Sequence, residues 1–188
     1  MGNFYTNITL RGVGQDEVTE FLTRQGTNAY VTPTKNEFTV VCEERCDTQE
    51  QGELERVASE LSARFHCPTL VVLNHDDDIL WFKLYSDGAA LDEYNSAPGY
   101  FEGDDVPPYG GNAHQLCEIF GAGQNAAEVE RILRSPDGSY RFAYERHIDL
   151  ARALGLPSYT VGLGFNYLEE DETPLDDLDI GALKRTGG

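Results

Sequence analysis

Basic residues are scarce in this sequence. Lys and Arg number 14 against 33 Asp and Glu, a formal net charge of −19. That balance repels nucleic-acid phosphates and anionic lipid, so neither direct nucleic-acid binding nor membrane association is expected. Between Phe65 and Glu130 the only Lys or Arg is Lys83. Cysteine is also sparse. Cys42, Cys46, Cys67 and Cys117 form no Cys-x-x-Cys pair, which argues against a disulfide framework and against a paired zinc site. His66 and His114 do not complete a ligand set at metal-binding spacing, so neither metal nor cofactor is expected. A phosphate-binding loop is missing as well. Gly12 and Gly14 stand between a strand and a helix, but Glu17 occupies the third glycine position and would face a phosphate. No run is apolar enough to span a membrane, and no apolar core follows a basic start. A reducing cytoplasm is the expected location.

The 188 residues are 40% hydrophobic, enough to bury a core. Alternation over Phe4–Leu10 predicts a strand, and Asp16–Gln25 a short helix stopped by Gly26. Asn28–Thr32 and Glu37–Glu43 read as a hairpin. Asp47 and Glu50 have capping-box spacing, and the helix they start runs to Phe65. Thr69–Phe101 then holds the only Trp, Trp81, and reads as a three-strand meander. Its second hairpin turns on Asp87-Gly88, a pair suited to positive φ. The expected fold is α+β: a ferredoxin-like βαββαβ antiparallel sheet extended by the meander.

Four segments are expected: a sandwich plus meander over 1–101, a Gly/Pro/Asp-rich linker over 102–112, helices and a final strand over 113–168, and an acidic, mobile tail over 169–188. The helices are Ala113–Phe120, Asn125–Arg134 and Tyr140–Leu154. The strand rests on alternation of Tyr159, Val161, Leu163, Phe165 and Tyr167. That strand is expected to return to the sheet, packing the helical portion on the same core. Lys184-Arg185-Thr186-Gly187-Gly188 resembles the end of ubiquitin-like modifiers over those five residues, although the strand order before it is not theirs.

Arg131, Arg134, Arg141, Arg146 and Arg152 form an arginine-rich segment that reads as internal counter-charge for the acidic remainder. The candidate binding residues are Asp76, Asp77, Asp78, Tyr94, Tyr100, Phe101, Asp104, Asp105 and Tyr109. Tyr side chains among acids on a Pro-rigidified loop suit a basic protein patch. The leading function is therefore a non-catalytic acidic module, immunity- or regulator-like, that binds a basic protein. The alternative is a hydrolase using clustered carboxylates with a divalent cation. Three acids converging in one pocket would favour the enzyme; a flat acidic-aromatic surface would favour the binder.

Overall fold

The computed structural model describes residues 2–104, 106–136, 139–170 and 177–187. The first half runs β1 (Tyr5–Arg11), α1 (Gln15–Gln25), β2 (Ala29–Val31), β3 (Phe38–Glu43), α2 (Gln51–Phe65), β4 (Thr69–His75), β5 (Ile79–Ser86) and β6 (Ala89–Asn95). The second half runs β7 (Tyr109–Gly110), α3 (Ala113–Phe120), α4 (Ala126–Arg134), α5 (Ala143–Leu154), α6 (Phe165–Glu169) and β8 (Lys184–Thr186). Among the described residues the strands form one antiparallel sheet in the order β7-β6-β5-β4-β1-β3-β2-β8. The protein is thus mixed α+β, with one eight-stranded sheet and six helices among the described residues.

The pleat divides the core between two faces. On one face Ile8 lies level with Val41 and Val71. These residues, with Leu10, Trp81 and Tyr85, meet Val18 and Leu22 of α1 and Leu54, Val57 and Leu61 of α2. Each fully buried Leu or Val stabilises by roughly 1.5–3 kcal/mol. On the opposite face Leu70, Val72, Phe82 and Leu84 meet α3, α4 and α5 through Leu116, Val129, Ile132 and Leu150. β1 is therefore covered on both sides. Asn7 and Thr9, which alternation would place in water, are buried.

The turns follow their residues. Asp87 (φ 50°) and Gly88 (φ 78°) hold the positive φ that the β5–β6 hairpin requires. Gly110 (φ 74°) lets β7 approach β6, because a Cβ there would lie 1.9 Å from the Glu93 carbonyl oxygen. Asp47 departs from the sequence reading. Glu44–Thr48 is a 3-10 turn capped by the Glu43 side chain, and α2 starts only at Gln51. Asp47 caps no α2 start. It accepts from the Thr6 hydroxyl at 2.9 Å and from the Asn166 N–H at 2.6 Å, joining β1 to α6.

The second half carries the main corrections. Tyr159–Tyr167 is not a strand. Ser158–Thr160 is a 3-10 turn, Gly162 sits at φ 86°, and α6 starts at Phe165. The segment forms a strap across the sheet, pressing Tyr159, Leu163 and Phe165 onto Val40 and Cys42. A strand would need a neighbouring ladder. Here sheet side chains satisfy part of the strap's backbone instead: Asn7 Nδ2 donates to the Thr160 and Leu163 carbonyls at 2.8 and 2.9 Å. A late strand does return to the sheet, but it is β8, within the stretch expected to be a tail. Lys184, Arg185 and Thr186 pair with Val31, Tyr30 and Ala29. Lys184-Arg185-Thr186 is therefore paired backbone, and the likeness to a free modifier tail ends there. The expected 102–112 linker likewise contributes β7, with Tyr109 opposite Asn95 and Gly110 opposite Tyr94. No helix among the described residues is long and apolar enough to cross a membrane.

Candidate functional site

The β4–β5 hairpin and the loop after β6 meet at one corner of the sheet. Asp76 (φ 51°) and Asp77 (φ 65°) occupy the tight turn, and Asp tolerates the left-handed region better than most residues. The three hairpin acids then diverge in role. The Asp77 carboxylate accepts from the Asn3 N–H at 2.9 Å and the Asn3 amide at 2.9 and 3.1 Å. Its own N–H donates to Asn74 Oδ1 at 3.1 Å, and its carbonyl accepts from the Ala143 N–H at 2.6 Å. Asp77 thus fixes the start of the chain and the start of α5 to the hairpin. Asp78 is exposed and accepts from the Tyr100 hydroxyl at 2.8 Å, which raises that phenol's pKa. Asp76 is exposed.

The aromatic side chains gather around His75. Its ring centroid lies 5.3 Å from Phe4, 5.5 Å from Phe101 and 6.4 Å from Tyr100, and Tyr100 and Phe101 stand edge to face at 5.2 Å. His75 Nδ1 and Gln49 Oε1 lie 2.7 Å apart, which orients the ring. Phe101 is 74% exposed and Tyr109 70%. Asp104 is exposed on the same loop, and Asp105 lies outside the described residues. Beside the cluster a groove of about 270 Å³ runs past Phe4, Leu73, Ile79 and Trp81. Lys83 offers this corner no counter-charge. It pairs with Glu55 at 3.0 Å and Glu93 at 3.3 Å over α2.

Tyr94 does not join this surface. It is fully buried, stacked on Phe82 at 5.0 Å. Its hydroxyl donates to the Leu133 carbonyl at 3.1 Å and accepts from Arg146 at 3.1 Å. Burial pushes its pKa up to about 12, against the pull of the Arg146 guanidinium. Sequence reasoning placed Tyr94 with the loop aromatics, but its place in β6 turns it into the core.

A second cavity, of about 220 Å³, lies behind the hairpin tip. Its lining combines Asp77, Asp78, Ser96 and Tyr100 with Arg141 and Arg146. The sequence reading missed Phe4, His75, Arg141 and Arg146. The arginine-rich segment was the available signal for the last two, yet it pointed to dispersed counter-charge. A larger cavity of about 500 Å³ lies between the β2–β3 turn and the end of α5, where Lys35 pairs with Asp177 at 3.3 Å. None of the anticipated residues line it. No three His, Cys, Asp or Glu side chains among the described residues come together as a metal-ligand set.

The fold and the corner define an α+β protein with an acidic, aromatic surface at one end of its sheet. Comparison with protein-family models, with curated proteins and with solved structures finds no match, so function is read from this chemistry alone.

Proposed function

We propose that the chain is a non-catalytic binding module, immunity- or regulator-like, that recognises a basic protein through Tyr100, Phe101, Tyr109 and the acids Asp76, Asp78 and Asp104. The observation that carries this reading is the exposed Phe101 ring, edge-on to His75 and Tyr100, in a part of the chain whose only Lys or Arg pairs elsewhere. Large exposed aromatic rings are common binding anchors, and exposed acids steer a basic partner. The hydrolase reading needs several carboxylates facing one substrate. In the cavity behind the hairpin the Asp77 carboxylate is held by Asn3, and Asp78 shares the lining with Arg141 and Arg146 instead. We also infer a cytoplasmic location, since the four cysteines are free and buried. For the fold, we infer a ferredoxin-like unit in the inner strands. Support comes from the order β4-β1-β3-β2, with α1 and α2 on one face.

The test uses a basic protein captured from cells of the source. Phe101→Ala should weaken its binding at least about tenfold, the scale of a hot-spot truncation. Joint Asp76→Asn, Asp78→Asn and Asp104→Asn should slow association and flatten its dependence on salt. A partner bound equally well by all of these variants would show that the corner is not the interface.

A further inference from the structure

Arg146 sits in an unusual electrostatic position. Its residue is only 3% exposed. Nη1 donates to the Tyr94 hydroxyl at 3.1 Å and the Ile132 carbonyl at 2.7 Å, and Nη2 donates to the Ser135 carbonyl at 3.0 Å. The Tyr140 ring lies 4.7 Å from the guanidinium carbon. Every one of these acceptors is neutral, because burial keeps the Tyr94 phenol protonated. Among the described residues no carboxylate lies within ion-pair distance of Arg146. The side chain is therefore rigidly held, and no described carboxylate compensates its charge. Such a buried charge is costly unless an anion completes it. A guanidinium has five N–H donors, and these three bonds leave the Nε–H and one Nη2–H for a ligand.

The same cavity carries the other sign as well. Asp78 Oδ2 accepts from Tyr100, which leaves Oδ1 free of that bond. The Asp77 carboxylate is turned towards Asn3. Arg141 and Arg146 share the cavity with these acids yet form no ion pair with them among the described residues. Separate scaffolds hold the two signs apart: the β4–β5 hairpin carries the acids, and α5 with its preceding turn carries the arginines. A simple anion in this cavity meets Asp78. A simple cation meets Arg146. A molecule carrying both charges on adjacent carbons satisfies both signs, and about 220 Å³ is room for a small one.

We propose that this cavity binds the head group of a free α-amino acid. The carboxylate lies on Arg146 and Arg141, and the ammonium on Asp78. Charge-assisted bonds at both ends set the specificity, as fixed donors and acceptors do in other preorganised sites. The cavity shares Asp78 and Tyr100 with the proposed partner surface, so a bound amino acid would sit directly behind that surface.

The experiment is calorimetric titration of the whole chain with glycine, L-alanine, L-serine and L-glutamate, each alone. Acetate, inorganic phosphate and methylammonium serve as single-charge probes. At least one amino acid should bind at one site per chain, at least about tenfold more tightly than any single-charge probe. Arg141→Gln and Asp78→Asn, both at exposed positions, should each weaken that binding about tenfold or more while leaving the melting curve intact. Three results each overturn the proposal: no amino acid binds, acetate or phosphate binds as tightly as any amino acid, or both variants bind as the parent does.

Discussion

The two faces of the sheet are built on different terms. The face under α1 and α2 is closed by apolar residues at helical and strand spacing, such as Val18, Leu22, Leu54, Val57 and Leu61 over Ile8, Val41 and Val71. The face under α3 to α6 mixes a comparable apolar core with large buried polar groups. Tyr5, Asn7, Asn74, Tyr94, Arg146 and His147 are all buried there or at its margin. An apolar face needs only shape and area. A polar one needs each donor and acceptor matched, and its order depends on specific pairs. The second face is therefore the one on which a single polar substitution can change local order without emptying the core.

The largest effect expected is apolar and tests whether the faces share one cooperative unit. Phe82→Ala on the second face should cost about 3–5 kcal/mol, and Leu61→Ala on the first about 2–5 kcal/mol. Denaturant unfolding followed by both Trp fluorescence and far-UV dichroism should show one coincident transition for each variant. Two separated transitions would split the sheet's faces into independent units. Next is Asn7→Ala, which leaves the Thr160 and Leu163 carbonyls without their side-chain donor. Its cost should be about 1–3 kcal/mol. Hydrogen exchange should quicken over the strap around residues 158–166 and stay unchanged in α1 and α2. Equal quickening on both faces would erase the distinction.

The last effect is graded with pH. His147 is fully buried, and burial lowers its pKa from 6.5 to about 3. Its Nδ1 lies 2.7 Å from the Tyr5 hydroxyl, and its Nε2 has no partner among the described residues. The folded protein keeps this imidazole neutral while the unfolded chain protonates it below about 6.5. Its contribution is therefore full above that pH and falls as the pH drops toward about 3. The slope should be roughly 1.4 kcal/mol per unit. His147→Gln should remove that slope from a comparison of urea midpoints at pH 7 and pH 5. Parallel pH profiles for parent and variant would place the titrating group elsewhere.

The same contrast explains what the sequence could disclose. The first face was legible because its residues obey one period each: 3.6 over 15–25 and 51–65, and 2 along the strands. The meander was legible because Asp87-Gly88 specifies its turn by backbone chemistry. The strap was not. Tyr159, Val161, Leu163 and Phe165 alternate as a strand does, but the choice against a ladder was made by Asn7 and Asp47, far away in the chain. β8 was missed because three residues beside a charged run carry no periodic signal. At the corner, composition marked Tyr100, Phe101 and the hairpin acids; Tyr100, Phe101, Asp76 and Asp78 are exposed, whereas Asp77 is half-buried on Asn3. That Tyr94 turns inward depends on which side of β6 each residue faces. That Arg146 lies buried in a cavity with Asp78 depends on the docking of α5, and no short stretch of sequence encodes it.

The position of β8 has a consequence for how the chain is made. β2 pairs with β3 on one side within a few residues, but its other side is filled only by Lys184–Thr186. Synthesis runs from the first residue onward, so a nascent chain that has already formed β1 to β6 still presents β2 as an open edge. Open edges recruit strands from other molecules. The three-residue length of β2 limits that hazard, since a short edge offers few ladder bonds to an intruder. Sealing by β8 is a late, long-range closure of the kind that slows folding. A chain truncated before Lys184 should therefore be the species most prone to self-association, and pairing of β8 with β2 is the step that ends the exposure.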